Sequence, residues 1–332
     1  MSMLRRFTAT LVLILGGLVA AAAQPATFDL VNEYPASSLP GEADKAFADL
    51  VAARLSARLV VRPVPNAASG LRSRDQVAAV AEGRVAMANT FGGAIGDLDP
   101  ALAIPSLPFL TPTIADARRL LELAEARYQT AFARRNQKLL FVSPWPASGL
   151  WTVRPVDGLA ALKALRVRTY DTTGTALFRS IATSAEVISF ADVEPRLTAG
   201  SIDAVLSSGD GGAGRKLWRF LPHFAAINYA IPLSFGTINL DAWNRLDPET
   251  RSALEQIGRE VSERQWAAMT GRVEANYATM RENGMTITSP IAPDLVAALQ
   301  AAAAPAIAAW AEKASPEDRE IIQRYRSGQP AK

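Results

Sequence analysis

Arg168 stands near the C-terminal end of the run Leu165-Arg166-Val167-Arg168-Thr169-Tyr170, whose alternation of apolar and polar residues is that of a strand. In open α/β sheets, ligands bind in the crevice beyond such strand ends. A guanidinium there can hold a carboxylate through two parallel hydrogen bonds, a geometry lysine does not match. A solvated arginine beside the sheet is the other reading of the same pattern. Aromatic residues collect at similar places: Tyr34, Phe91, Trp145, Tyr170, Phe190 and Phe235 all fall at expected strand ends. By spacing alone such rings fill a core more often than a pocket. Tyr34 and Trp145 are the better pocket candidates, because they stand in the turn-forming contexts Glu33-Tyr34-Pro35 and Pro144-Trp145-Pro146.

Other chemistries find little support. Gly209-Asp210-Gly211-Gly212-Ala213-Gly214 fits G-x-G-x-x-G after an expected strand, but no acidic residue follows between Asp210 and Asp241, where a dinucleotide site needs one for the ribose. A flexible glycine-rich loop at a strand end is the simpler expectation. The single histidine, His223, sits among apolar neighbours and excludes an H-E-x-x-H zinc site or a multi-histidine cage. With no G-x-S-x-G elbow and no P-loop, the common hydrolase and nucleotide-handling enzymes are unsupported. Cysteine is absent, which removes disulfides, thiolate metal sites, a cysteine nucleophile and a lipid-modified cysteine anchor. Neither a metal nor a cofactor is expected, and the chain reads as a non-enzyme.

These residues need a scaffold, and the sequence sets out one. Arg5 and Arg6 precede an apolar run from Leu11 to Ala20 and the small residues Ala21 to Ala23, the order of a cleaved export signal. The net charge of +3 falls to +1 when those two arginines leave, too balanced for a nucleic-acid partner. The chain of 332 residues exceeds what one core usually serves, so two domains are expected. Short β-type runs alternate with amphipathic helical runs, the mark of an α/β protein with mostly parallel sheets. The first series reads strand Thr27 to Asn32, helix Glu42 to Leu55, strand Arg58 to Val64, helix Ser73 to Gly83 with Ser73 and Gln76 as a capping box, strand Val85 to Thr90, helix Ile114 to Ala126 and strand Lys138 to Val142. A second series runs from Leu150 to Ser207. Beyond it, Asp247 and Pro248 open a helix expected to reach about Asn283, long enough to strut two domains. Ala301 to Ala309 reads as helix, broken or restarted at Pro305.

Several strings in this order resemble the solute-binding proteins of tripartite ATP-independent periplasmic (TRAP) transporters, the DctP family. They are Ser106-Leu107-Pro108-Phe109-Leu110, Arg154-Pro155-Val156 through Leu162 to Arg168, Phe190-Ala191-Asp192-Val193 through Leu197 to Ala204, and Asn239 with Trp243 and Leu246. The resemblance spans essentially the whole mature chain. It implies a two-lobed periplasmic solute-binding (Venus-flytrap) fold, with two mixed sheets flanked by helices, hinge strands and a long lobe-spanning helix. Residues 1–23 would be the signal peptide, 24–147 with about 236–270 the first lobe, and 148–235 with about 271–332 the second. Arg168 matches the family's carboxylate-pairing arginine and Phe190 its pocket phenylalanine. Two positions depart: Ser207 and Ser208 replace the family's usual Asn-Pro, and a second upstream arginine is replaced around Ala147 and Ser148. The candidate substrate contacts are Glu33, Tyr34, Asn89, Phe91, Trp145, Ser148, Arg168, Tyr170, Phe190, Ser207, Ser208 and Phe235. The resemblance implies a periplasmic protein that captures a small organic acid and delivers it to TRAP permease subunits, and a monomer is expected. The two departures, with Tyr34, Trp145 and Tyr170 nearby, point to a monocarboxylate with an apolar or aromatic part. A ligand-sensing module for a membrane kinase is the alternative.

Overall fold

The structure, a computed structural model, describes residues 25–181 and 183–329; the expected signal peptide lies outside the described residues. The first series is β1 (Ala26–Asn32), α1 (Leu39–Leu55), β2 (Leu59–Val64), α2 (Ser73–Ala81), β3 (Met87–Phe91), α3 (Pro100–Ala103), α4 (Ile114–Ala133) and β4 (Gln137–Pro144). The second is β5 (Ser148–Thr152), α5 (Leu159–Lys163), β6 (Arg166–Thr169), α6 (Thr172–Ser180), β7 (Ser184–Val187), α7 (Val193–Thr198), β8 (Ala204–Ser208), α8 (Gly209–Gly214) and β9 (His223–Ala225). Then come β10 (Leu233–Asn239), α9 (Leu240–Arg245), α10 (Pro248–Ala268), α11 (Arg272–Glu282), β11 (Thr286–Thr288), α12 (Pro293–Lys313) and α13 (Pro316–Arg326).

Two mixed sheets result, one per lobe. Lobe I carries the order β2-β1-β3-β10-β4, in which β1 pairs parallel with β2 and β3 while β10 runs antiparallel to β3 and β4. Lobe II carries β11-β9-β5-β8-β6-β7, with β6 parallel to β7 and β8 and β5 antiparallel to β8 and β9. Helices cover both faces, so the central strands are buried on either side. In lobe I, Phe47, Val51, Leu254 and Ile257 pack on one face of the sheet around Phe141 and Ile238. Tyr128, Phe132 and Leu120 pack on the other around Phe235. Trp151, Val167, Phe178, Leu206 and Phe224 centre the core of lobe II.

The chain crosses between lobes at β4–β5, at β9–β10, at α10–α11 and again along α12, which starts against α6 of lobe II and ends, with α13, against lobe I. There Trp310 Nε1 donates to Pro100 O at 2.9 Å and Tyr325 OH to Leu110 O at 3.1 Å. The last helix therefore lies with the first lobe and not, as expected from the sequence, with the second. The two strand crossings bond to each other: Trp145 N–H donates to Pro232 O at 2.9 Å, Ser148 N–H to Ala230 O at 2.9 Å, and Tyr229 N–H to Ser148 O at 2.8 Å. At the third crossing the single long helix expected from the sequence is two. Gly271, at φ +79°, breaks it between α10 and α11 in the left-handed region that favours glycine. Asp247 caps α10 through the Thr250 N–H at 2.9 Å, with Pro248 in the first turn.

Three other local readings change. The N-cap of α2 is Arg72, whose N–H donates to Asp75 at 3.2 Å, so Ser73 and Gln76 do not form the capping box. The alanine-rich stretch is one continuous helix, α12, with Pro305 inside it on the exposed side, where the carbonyl it strands can be hydrated. The glycine string is the short helix α8, capped by Ser208 Oγ from the Gly211 N–H at 3.1 Å. Its glycines serve packing: a Cβ on Gly212 would lie 2.2 Å from the Trp151 indole.

Candidate ligand-binding site

Strand β6 places Arg168 opposite Glu186 of β7 and Val205 of β8, one strand in from the β7 edge of the lobe II sheet. Its side chain is 2 % exposed. Nε donates to Ile188 O at 2.7 Å and Nη1 to Leu206 O at 2.9 Å, so two carbonyls at the ends of neighbouring strands fix the guanidinium. Its centre lies 5.5 Å from the Phe190 ring and 6.0 Å from that of Tyr170. Among the described residues no carboxylate forms an ion pair with it. A buried charge held by neutral carbonyls and aromatic faces, without a counter-ion, is an electrostatic cost that an incoming anion removes.

A cavity of about 10 Å3 opens beside this guanidinium, bounded by Tyr34, Phe91, Trp145, Ser148, Arg168, Tyr170, Ser207, Ser208 and Pro232. That is the room of about one water, so the lobes are closed on each other. The closing surface is aromatic. Tyr34 of lobe I stacks on Phe190 of lobe II at 4.7 Å and 17°, and lies 4.7 Å from Trp145 and 5.4 Å from Phe91. Phe91 meets Tyr170 edge-on at 5.0 Å. The polar edge is supplied by hydroxyls: Ser148 Oγ and Tyr170 OH are 3.2 Å apart. Trp145 Nε1 is turned to Ser234 Oγ at 2.9 Å. Burial raises the phenol pKa values of Tyr34 and Tyr170 above the ordinary range, so both hydroxyls keep their protons at neutral pH. A larger hollow of about 430 Å3, lined by Asp97, Thr172, Trp310 and Lys313 among others, lies on the far side of the Phe91–Tyr170 pair, where Gly93 abuts both rings.

The structure thus brings together Tyr34, Phe91, Trp145, Ser148, Arg168, Tyr170, Ser207 and Ser208 on one cavity, with Phe190 behind Tyr34. It places three candidates elsewhere. Asn89 lies one pleat deeper in β3 than Phe91; its Nδ2 donates to Asp44 at 2.7 Å and to Pro40 O at 3.1 Å, below the cavity. Phe235 pairs in register with Thr90, not with Phe91, so it points to the other face of the sheet. There it packs on Tyr128 and Phe132 at 5.1 and 5.3 Å. Glu33 faces the lobe rim, where its carboxylate accepts the N–H groups of Ser73 and Ala191. Two neighbours have no counterpart in the sequence reading. Pro232 follows from the strand crossing alone. Arg215, at the end of α8, comes within 5.7 Å of the Phe190 ring, and the only sequence signal was its position just after the glycine string.

Comparison with known proteins shows the family and the fold. Residues 30–313 match the family model described as bacterial extracellular solute-binding protein, family 7, DctP. A solute-binding protein of Chromohalobacter salexigens is 23 % identical over 263 residues, covering 77 % of each chain. Among solved structures, the Bordetella pertussis extracytoplasmic solute receptor DctP7, which binds pyroglutamic acid, superposes with a TM-score of 0.86 at 26 % identity, over 91 % of this chain and 99 % of that one. A marine-metagenome TRAP solute-binding protein specific for pyroglutamate gives 0.86 at 24 % identity, over 92 % and 99 %. With two closing lobes and a buried arginine facing the gap between them, the chain belongs to family 7 of the bacterial extracellular solute-binding proteins, the binding proteins of TRAP transport.

Proposed function

We propose that the protein captures a compact monocarboxylate with a small flat or apolar part and delivers it to a TRAP permease. Arg168 carries this reading, as a buried guanidinium whose partners among the described residues are neutral. It is also the single charged side chain in the cavity lining. One cation suits one carboxylate, whereas a second carboxylate would enter an apolar wall without a partner. The rings of Tyr34, Phe91, Trp145 and Tyr170 suit a flat or apolar remainder, and the Ser148, Ser207 and Ser208 hydroxyls suit a polar edge on it. Because the closed cavity is so small, the lobes separate to admit the acid, and a compact ligand demands the least separation. Pyroglutamate, a five-membered lactam with one carboxylate, has this chemistry, and the similar Bordetella receptor binding it supports the choice.

Isothermal titration calorimetry with pyroglutamate, succinate and glucuronate tests the reading. Pyroglutamate is expected to bind most tightly. Arg168→Ala is expected to weaken binding by about 1.5–3 kcal/mol, roughly ten- to a hundredfold, in a protein that still folds, as its far-UV circular dichroism would show. Unchanged affinity in that variant would overturn the site, and a preference for succinate would overturn the monocarboxylate.

A further inference from the structure

We infer that Glu33 is a positioning residue that latches the lobes shut, acting through the neighbouring Tyr34 wall without touching the ligand. Its carboxylate is 1 % exposed and belongs to both lobes at once. Oε2 accepts the Ser73 N–H at the start of α2 in lobe I at 2.7 Å, and Oε1 accepts the Ala191 N–H of lobe II at 2.8 Å. The Glu33 carbonyl accepts a third bond, from Arg215 Nη2 of lobe II at 3.2 Å.

The residues on either side make the same crossing. Arg72 of lobe I holds both carboxylate oxygens of Asp192, from Nε at 2.7 Å and from Nη2 at 2.5 Å. Tyr34 stacks on Phe190. Three consecutive residues of lobe II, 190 to 192, therefore each meet a lobe I side chain, and parting the lobes breaks all three contacts together. They are not equal. The Arg72 and Asp192 side chains are 42 % and 39 % exposed, where an ion pair contributes little beyond what water returns. Glu33 is buried and its bonds to amides are charge-assisted, so losing its charge is felt most.

Resting on the proposed function, this inference deepens it: the closed state is held partly by the protein's own contacts, and the ligand supplies the remainder. The apparent affinity then scales with the fraction that can close. Because Glu33 is not in the cavity lining, changing it should alter residence time for every acid alike and leave their rank order intact.

The chain has no cysteine, so spin labels on one introduced cysteine per lobe report the interlobe distance by double electron–electron resonance. With no acid added, the otherwise wild-type protein is expected to show a closed population that Glu33→Gln depletes and Arg72→Ala depletes less. With pyroglutamate, Glu33→Gln should raise the dissociation rate about tenfold while the association rate holds. An unchanged ligand-free distance distribution in Glu33→Gln overturns the inference, as does an altered rank order among pyroglutamate, succinate and glucuronate. Should Glu33→Gln fail to fold, Glu33→Asp decides, because it keeps the carboxylate but withdraws it from the Ala191 N–H across the lobes; an unchanged ligand-free distance distribution in that variant overturns the latch. The ligand-free measurement does not depend on which acid binds, so failure of the ligand assignment leaves a distinct signature, namely a normal latch with no uptake of pyroglutamate.

Discussion

Arg168 and Asp44 show two ways a buried ionisable side chain is tolerated. Arg168 is a buried cation held by neutral carbonyls and poised for an external anion. Asp44 gives its charge up. It lies on α1 beneath the cavity wall, bonded by Asn32 Nδ2 at 2.6 Å and Asn89 Nδ2 at 2.7 Å, and burial outweighs those bonds to push its pKa up to about 8. Asp171, which caps α6 and accepts from the Tyr229 hydroxyl at 3.2 Å, is pushed up to about 7 by the same cause. The native state therefore holds a proton on Asp44 that the unfolded chain, near the ordinary 3.8, has released. Stability from this group is present below about pH 4 and is lost as pH rises toward 8. Urea unfolding across that range should show the wild-type stability falling relative to Asp44→Asn, with the difference levelling above pH 8. Parallel curves for the two proteins would contradict a protonated Asp44.

At the scale of elements, helix-to-sheet distance is set by single side chains. Helix α10 lies so close to β4 that a Cβ on Gly258 would sit 2.1 Å from the Leu140 carbonyl oxygen. In an exposed helix an alanine there would add about 1 kcal/mol of helix propensity. Here the overlap costs about 1–3 kcal/mol and should win, so Gly258→Ala is expected to lower the thermal unfolding midpoint, and a raised midpoint would refute the close approach. Elements also explain which site candidates converge. Arg168, Ser207 and Ser208 end adjacent parallel strands, and the rule that ligands sit beyond such ends brought them to one place. Asn89 and Phe235 obeyed the same rule in sequence but not in space. One residue of register on β10 decides that Ser234 shares a face with Phe91 while Phe235 shares one with Thr90, and no feature of the sequence near Phe235 encodes its partner.

For the molecule as a whole, closure joins the lobes at more than the rim. Asp210, at the start of α8, accepts the Leu39 N–H of lobe I at 2.8 Å and Arg272 Nε at 2.5 Å, and Arg272 in turn reaches Glu42 of lobe I at 2.9 Å. A ligand that binds only when both lobes enclose it stabilises the native state by mass action. Pyroglutamate at a hundred times the wild-type Kd should add about 2.7 kcal/mol to unfolding, seen as a raised midpoint in differential scanning calorimetry, and the same concentration should add only about 0.4–1.4 kcal/mol to Arg168→Ala. No rise at any concentration would exclude pyroglutamate as the ligand.

The α/β class, the alternation that builds two sheets, the cap of α10 and the arginine at a strand end are legible from the chain alone, because each is written in local periodicity or in the few residues around one turn. It took the folded molecule to show that the long helix breaks at Gly271, that the glycine string makes room for Trp151, and that Glu33 joins the lobes. The last two depend on a partner distant in the chain: Glu33 meets Ala191 across 158 positions, and neither residue's neighbourhood specifies the other.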